Sequence, residues 1–139
     1  MSTPSPTGPP VVVVAAVVRG ADGRVLLTRR PEGSHMGGLW EFPGGKVEHG
    51  ESPAAALERE LAEELGVRAR VGRPFTFAVH DEPGLRILLL FYETVLVDGT
   101  PRPLEGQELA WVAPHELVEY PMPPADDGLV ELLARSTAP

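Results

Sequence analysis

Between Ser52 and Gly66 the chain reads Ser-Pro-Ala-Ala-Ala-Leu-Glu-Arg-Glu-Leu-Ala-Glu-Glu-Leu-Gly, and no other stretch restricts the fold as strongly. Residues three and four apart share a helix face, so Ala54, Leu57, Leu61 and Leu65 form an apolar stripe. Glu60, Glu63 and Glu64 stack beside it at i, i+3 and i+4. Ser52 suits the N-cap, Pro53 the first helical position, and Gly66 the left-handed residue that closes the helix. The helix must therefore bury one side against a core while lining up three carboxylates on another. Carboxylates that close repel unless a cation stands among them. The plainer reading of Glu63 and Glu64 alone is a solvated acidic face.

At 139 residues the chain is long enough for one domain with a sizeable core, expected over residues 11–139. Residues 1–10 hold four prolines and are expected to be a disordered tail. The apolar run 11–18 is too short to span a bilayer and no cationic segment precedes it, so no membrane is expected and a cytoplasmic location is the default. Without cysteine there are no disulfides, thiolate metal sites or cysteine nucleophiles. A formal charge of −8 argues against non-specific nucleic-acid binding, but not against a nucleotide carried with divalent metal.

Residues 11–18 and 24–30 flank an Ala21-Asp22-Gly23 turn and read as paired strands, the first central because it is almost wholly apolar. A loop over 31–38 leads to a short strand at 39–42 and a Pro43-Gly44-Gly45 turn. Two strands, 68–80 and 85–97, are expected around Asp81-Glu82-Pro83-Gly84. A short strand at 108–112, a helical turn near 114–118 and a last helix over about 126–135 complete the pattern. Mixed strands with two substantial helices suggest an α/β sandwich, one helix on each side.

Oxygen-only ligands in a helical row suit a hard cation such as Mg²⁺, with Mn²⁺ as substitute, and the backbone carbonyl of Gly44 can add a further oxygen. His35, His49, His80 and His115 show neither His-Glu-x-x-His spacing nor cysteine partners, so no zinc pattern competes. A metal cluster beside a glycine turn can neutralise diphosphate oxygens and activate water, and a nearby carboxylate can take the proton.

From Gly45 the spacing runs Gly, five residues, Glu51, seven residues, then Arg59-Glu60-Leu61-Ala62-Glu63-Glu64-Leu65-Gly66-Val67. This resembles the Nudix hydrolases, whose signature is matched at every fixed position. The resemblance implies a three-layer α/β/α sandwich with a mixed sheet and hydrolysis of a nucleoside diphosphate linked to another group. It implies Glu60, Glu63 and Glu64 as metal ligands, Glu60 also as a candidate base, and Glu51 with Arg59 as a bracing ion pair.

Thr28-Arg29-Arg30, His35-Met36, Glu41-Phe42-Pro43-Gly44-Gly45-Lys46 and Pro124-Ala125 extend the likeness to MutT-type pyrophosphohydrolases, which cut nucleoside triphosphates to monophosphate and pyrophosphate. By position, Arg30 and His35 would meet phosphate, and Glu41 and Phe42 would border the nucleoside. Glu105 would be a further metal ligand or base. Plainer readings exist: Arg30 as a solvated strand end, His35 and Lys46 as surface residues, Phe42 as core.

Asp126, in Tyr120-Pro121-Met122-Pro123-Pro124-Ala125-Asp126, stands where guanine-cleansing relatives carry asparagine, and the run is closer to the CTP pyrophosphohydrolase branch. Asp126 would read the base; its plainer reading is a helix N-cap. If it does not, base choice falls to Ala15, Phe42 and Phe77. The implied partner is a small nucleotide and the implied assembly a monomer or weak homodimer. ADP-ribose or nucleotide-sugar hydrolysis, suggested by Pro83, and a catalytically silent nucleotide sensor are the alternatives.

Overall fold

The structure is a computed structural model that describes residues 8–34 and 37–136. Most of the expected tail and His35 lie outside the described residues.

The first strand, β1 (Val11–Val18), is buried on both faces because apolar residues fill every position. Val14, Ala16 and Val18 point to one core, Ala15 and Val17 to the other. The second strand, β2 (Val25–Arg29), divides in the same way, Leu26 to the first core and Val25 and Leu27 to the second. Helix α1 (Pro53–Leu65) seals the first core with Ala56, Leu57, Leu61 and Leu65. Helix α2 (Asp127–Ser136) seals the second with Leu129, Val130 and Leu133. The outcome is the expected layering of helix, strands and helix. Each fully buried leucine contributes roughly 1.5–3 kcal/mol by leaving water. Ala54 belongs to the expected stripe, but Ala56 takes the fully buried place.

The strands form two sheets. One has the order β4-β1-β6-β5, where β4 is Gly44–Lys46, β5 is Arg68–Glu82 and β6 is Leu85–Asp98. It is mixed, since β1 runs parallel to β6 and antiparallel to β4. The other has the order β3-β2-β7, with β3 at Trp40–Glu41 and β7 at Glu108–Val112, all antiparallel. The expected pairing of the first two strands is therefore wrong. Among the described residues their backbones are linked by a bridge between Arg19 and Val25 and by the Gly20 amide bond to the Arg24 carbonyl at 2.7 Å. Both edges of β1 are already occupied, by β4 and β6, so β2 seeks β7 and β3 instead.

Gly44 and Gly45 are likewise not a turn but the strand β4. The chain leaves one sheet at Glu41 and joins the other at Gly44, with the Ala16 amide bonded to the Pro43 carbonyl at 2.8 Å. A β-carbon at Gly44 would overlap the Val14 carbonyl and lie 2.7 Å from the Ala15 Cα, so only glycine permits this approach.

Candidate active site

The Ser52 Oγ accepts the Ala55 amide at 3.1 Å, Pro53 occupies the first turn, and Gly66 closes α1 at φ 68°. These local signals set the start and stop of the helix and hence the depth of its glutamates. At its C-terminal end, free carbonyls are met by a distant loop. The Leu104 amide and the Gln107 Nε2 donate to the Glu64 carbonyl at 3.2 and 3.1 Å, and the Arg102 amide donates to that of Leu65 at 2.9 Å. Gln107 also accepts the Glu105 amide at 2.8 Å, so the loop bearing Glu105 is fastened to the helix bearing Glu64.

Arg59 braces the other end of the acidic face. Its Nε and one terminal nitrogen take both oxygens of Glu51 at 2.7 and 2.9 Å, and the same nitrogen donates to the Lys46 carbonyl at 3.1 Å. Its other terminal nitrogen reaches Glu60 at 3.0 Å and Glu63 at 3.3 Å. The Arg59 bonds, helped by the Glu48 amide, hold the Glu51 carboxyl below the usual range, and Glu51 raises Arg59 in return. The expected bracing pair is thus present, and it ties the segment after β4 to α1.

The three helix glutamates differ in surroundings. Glu63 is 56% exposed, whereas Glu60 is 17% exposed and lies against Gly45, where any β-carbon would strike its carboxylate. Burial raises the Glu60 carboxyl, against the opposing pull of Arg59. Burial pushes Glu64 further, to about 8, with Glu60, Glu105 and Glu41 adding repulsion and Arg30 opposing. Four carboxylates thus share one neighbourhood deficient in positive charge. Among the described residues no three His, Asp or Glu side chains converge into a ready cation cage. The donor set, all oxygen and rich in charge, nonetheless fits a hard divalent cation.

Beside this cluster lies a cavity of about 450 Å³. Val13 and Ala15 of β1 and Ile87 and Leu89 of β6 line it, facing the α2 side of the sheet. Arg30, Glu41 and Gly44–Lys46 stand at the β4 end, and the 3₁₀ turn Pro124–Asp126 forms another wall. Arg30 and Glu41 are joined at 2.8 Å, a bond that raises the guanidinium above its ordinary value. Glu41 feels both Glu64 and Asp126, so the cavity and the acidic face of α1 are electrically one site.

Asp126 is 5% exposed, and its carboxyl is raised to about 7, by burial first and then by Glu41 and Asp127. It occupies the position just before α2. Phe42 borders the cavity while its ring, 4% exposed, packs edge-on against Phe91 at 6.1 Å between centroids. Its plainer reading, core, therefore describes the ring. Phe77 is misplaced by the sequence reading. It is 65% exposed and pairs with Leu90, which packs on the α1 side of the sheet, away from the cavity. Pro83 stands in the two-residue turn between β5 and β6, before Gly84 at φ 77°.

Sequence reasoning also missed His80 and Glu82, which line the cavity from β5, and Gln107, whose partner is the distant Glu64. Alternation along β5 identifies the first two once the hairpin register is known. No local signal marks Gln107.

The NUDIX domain pattern matches residues 9–133. A CTP pyrophosphohydrolase of Escherichia coli is 44% identical over 121 residues, covering 87% of this chain and 89% of that protein. An 8-oxo-dGTP diphosphatase of Haemophilus influenzae is 38% identical over 127 residues, covering 91% and 93%. Among solved structures, the solution structure of the E. coli ORF135 protein superposes with a TM-score of 0.79 at 42% identity, covering 93% of each chain. With the glutamates, the glycine strand and the cavity arranged as described, the chain belongs to the Nudix hydrolase family.

Proposed function

We propose that this protein cuts nucleoside triphosphates into a monophosphate and pyrophosphate, and that its substrates are oxidised or modified nucleotides such as 8-oxo-dGTP or 5-substituted dCTP and CTP. The observation that carries this reading is the junction at Arg30 and Glu41, where an apolar cavity of nucleoside size meets the acidic face of α1. The names of the relatives above support the substrate class.

Glu60, Glu63, Glu64, Glu105 and the Gly44 carbonyl would hold a divalent cation, Mg²⁺ or in its place Mn²⁺. When bound, such a cation neutralises phosphate oxygens and polarises phosphorus. Arg30 contributes a fixed positive charge to the phosphates. Glu60, beside Gly45, takes the proton of the attacking water. The water oxygen bonds to phosphorus, the bridging phosphorus–oxygen bond breaks, and pyrophosphate leaves. The apolar cavity floor takes sugar and base out of water. Asp126 reads the base: a carboxyl poised near 7 accepts only when ionised, as the cytosine amine requires, and both donates and accepts when protonated.

The test is a panel of normal, oxidised and 5-substituted nucleoside triphosphates with ADP-ribose, measuring pyrophosphate and phosphate separately. Pyrophosphate release that stops in EDTA, and drops by orders of magnitude in Glu60→Gln, Glu63→Gln and Glu64→Gln, supports the reading. Phosphate alone, ADP-ribose cleavage alone, or full turnover in EDTA overturns it.

A further inference from the structure

Resting on that reading, we propose that His80, oriented by Glu82, contacts the nucleobase at the end of the cavity remote from the phosphates and helps to choose the base. The sheet order β4-β1-β6-β5 carries the cavity across four strands. Gly45 on β4 and His80 on β5 are therefore three strand spacings apart across the sheet, about 14 Å, and the register sets them three residues apart along it as well. On that reading the phosphates lie at the β4 end, where Arg30 and the α1 carboxylates stand. In a nucleotide the base is the part furthest from the phosphates, so a nucleoside laid over Val13, Ala15, Ile87 and Leu89 brings its base toward β5. The turn carrying Asp126 packs against β5 as well, so both walls that meet the base are fixed to one strand.

His80 stands on a braced hairpin. Register pairs it with Ile87 and pairs Glu82 with Leu85, all four lining the cavity. Asp81, between them, points to the opposite face, where Arg86 grips both its oxygens at 2.7 and 2.9 Å. The His80 Nε2 lies 3.5 Å from the Glu82 carboxylate. An imidazole so placed offers a ring nitrogen to a hydrogen-bonding base edge and is too far from the α1 carboxylates to act in bond cleavage. Its role is selective binding.

The experiment is steady-state kinetics of the full chain with Mg²⁺, using triphosphates that carry cytosine, 5-substituted cytosine, guanine and 8-oxoguanine. His80→Ala should raise KM for the preferred base about tenfold, with smaller changes for poorly accepted bases. Its kcat should stay within about twofold. His80→Gln should recover part of the loss, Glu82→Gln should move the ranking in the same direction by less, and Val79→Thr, on the opposite face, should leave it intact. If His80→Ala does not fold, His80→Gln carries the test through its own change in ranking. An unchanged ranking of bases, or an equal fall in kcat for all of them, overturns the proposal while leaving the hydrolase reading in place. A wild-type protein that releases pyrophosphate from none of the triphosphates overturns both.

Discussion

Glu64 makes the cation-free protein's stability depend on pH in an unusual direction. Its folded carboxyl titrates near 8, against an ordinary value of 4.5, so the folded state holds a proton that the unfolded chain releases. Stability from this group is full below pH 4.5 and is lost as pH rises through 8. Between pH 5 and pH 8 the loss amounts to about 3–4 kcal/mol, an upper figure because neighbouring carboxylates titrate with it. For a domain of this size that corresponds to roughly 10 °C in Tm. Glu64→Gln keeps a neutral side chain of similar shape, so it should match wild type near pH 5 and melt well above it at pH 8. The assay is thermal unfolding of both proteins in EDTA across that range, read as their difference, since Asp126 adds a slope of the same sign up to about 7 in each. Added Mg²⁺ should stabilise the wild type at pH 8 and do much less for the variant. Parallel pH profiles, or a wild type that gains stability on going from pH 5 to pH 8 in EDTA, would refute the reasoning.

Arg30→Ala should reduce kcat/KM for every triphosphate tested, because a phosphate contact does not read the base; a loss confined to one nucleobase would contradict it. Asp126→Ala should cost roughly 1–3 kcal/mol in kcat/KM for the preferred base and less for others. Asp126→Asn should move preference from cytosine toward 8-oxoguanine; an unchanged ranking with only a lower Tm would make Asp126 a structural residue. Gly45→Ala should displace the Glu60 carboxylate and depress kcat more than KM, measurable at saturating substrate, and a normal kcat would show that the position of Glu60 is not critical.

Much of the acidic helix was legible because its determinants are local: the Ser52 cap, Pro53, the leucine spacing and Gly66 all act within a few residues of one another. Strand β1 was legible from Val11 to Val18 because an apolar run of that length has few other uses. What escaped depends on distance. That β1 and β2 belong to different sheets follows from β6 claiming an edge of β1, and β6 lies far along the chain. Gly44 and Gly45 read as a turn because glycine carries no side chain to reveal that its absence serves a close strand contact. Phe77, named with Ala15 and Phe42 as the fallback for base choice, faces away from the cavity. The bulges around Pro74 set which face it takes, and those follow from pairing rather than composition.

The cavity floor has a consequence for how the protein comes to exist. It is built on a parallel pair in which Val11 meets Ile87, so its two halves are joined only after most of the chain has been made, with helix α1 and strands β2 to β5 lying between them in sequence. Parallel pairing across such a span is slow to nucleate, because the entropy of closing the loop is lost before the contacts repay it. The acidic helix can form early from its own signals, but the surface on which a nucleoside would rest is a late product of folding. A partly folded chain would then carry the carboxylates without the floor, and recovery of activity on refolding should lag behind recovery of helical signal.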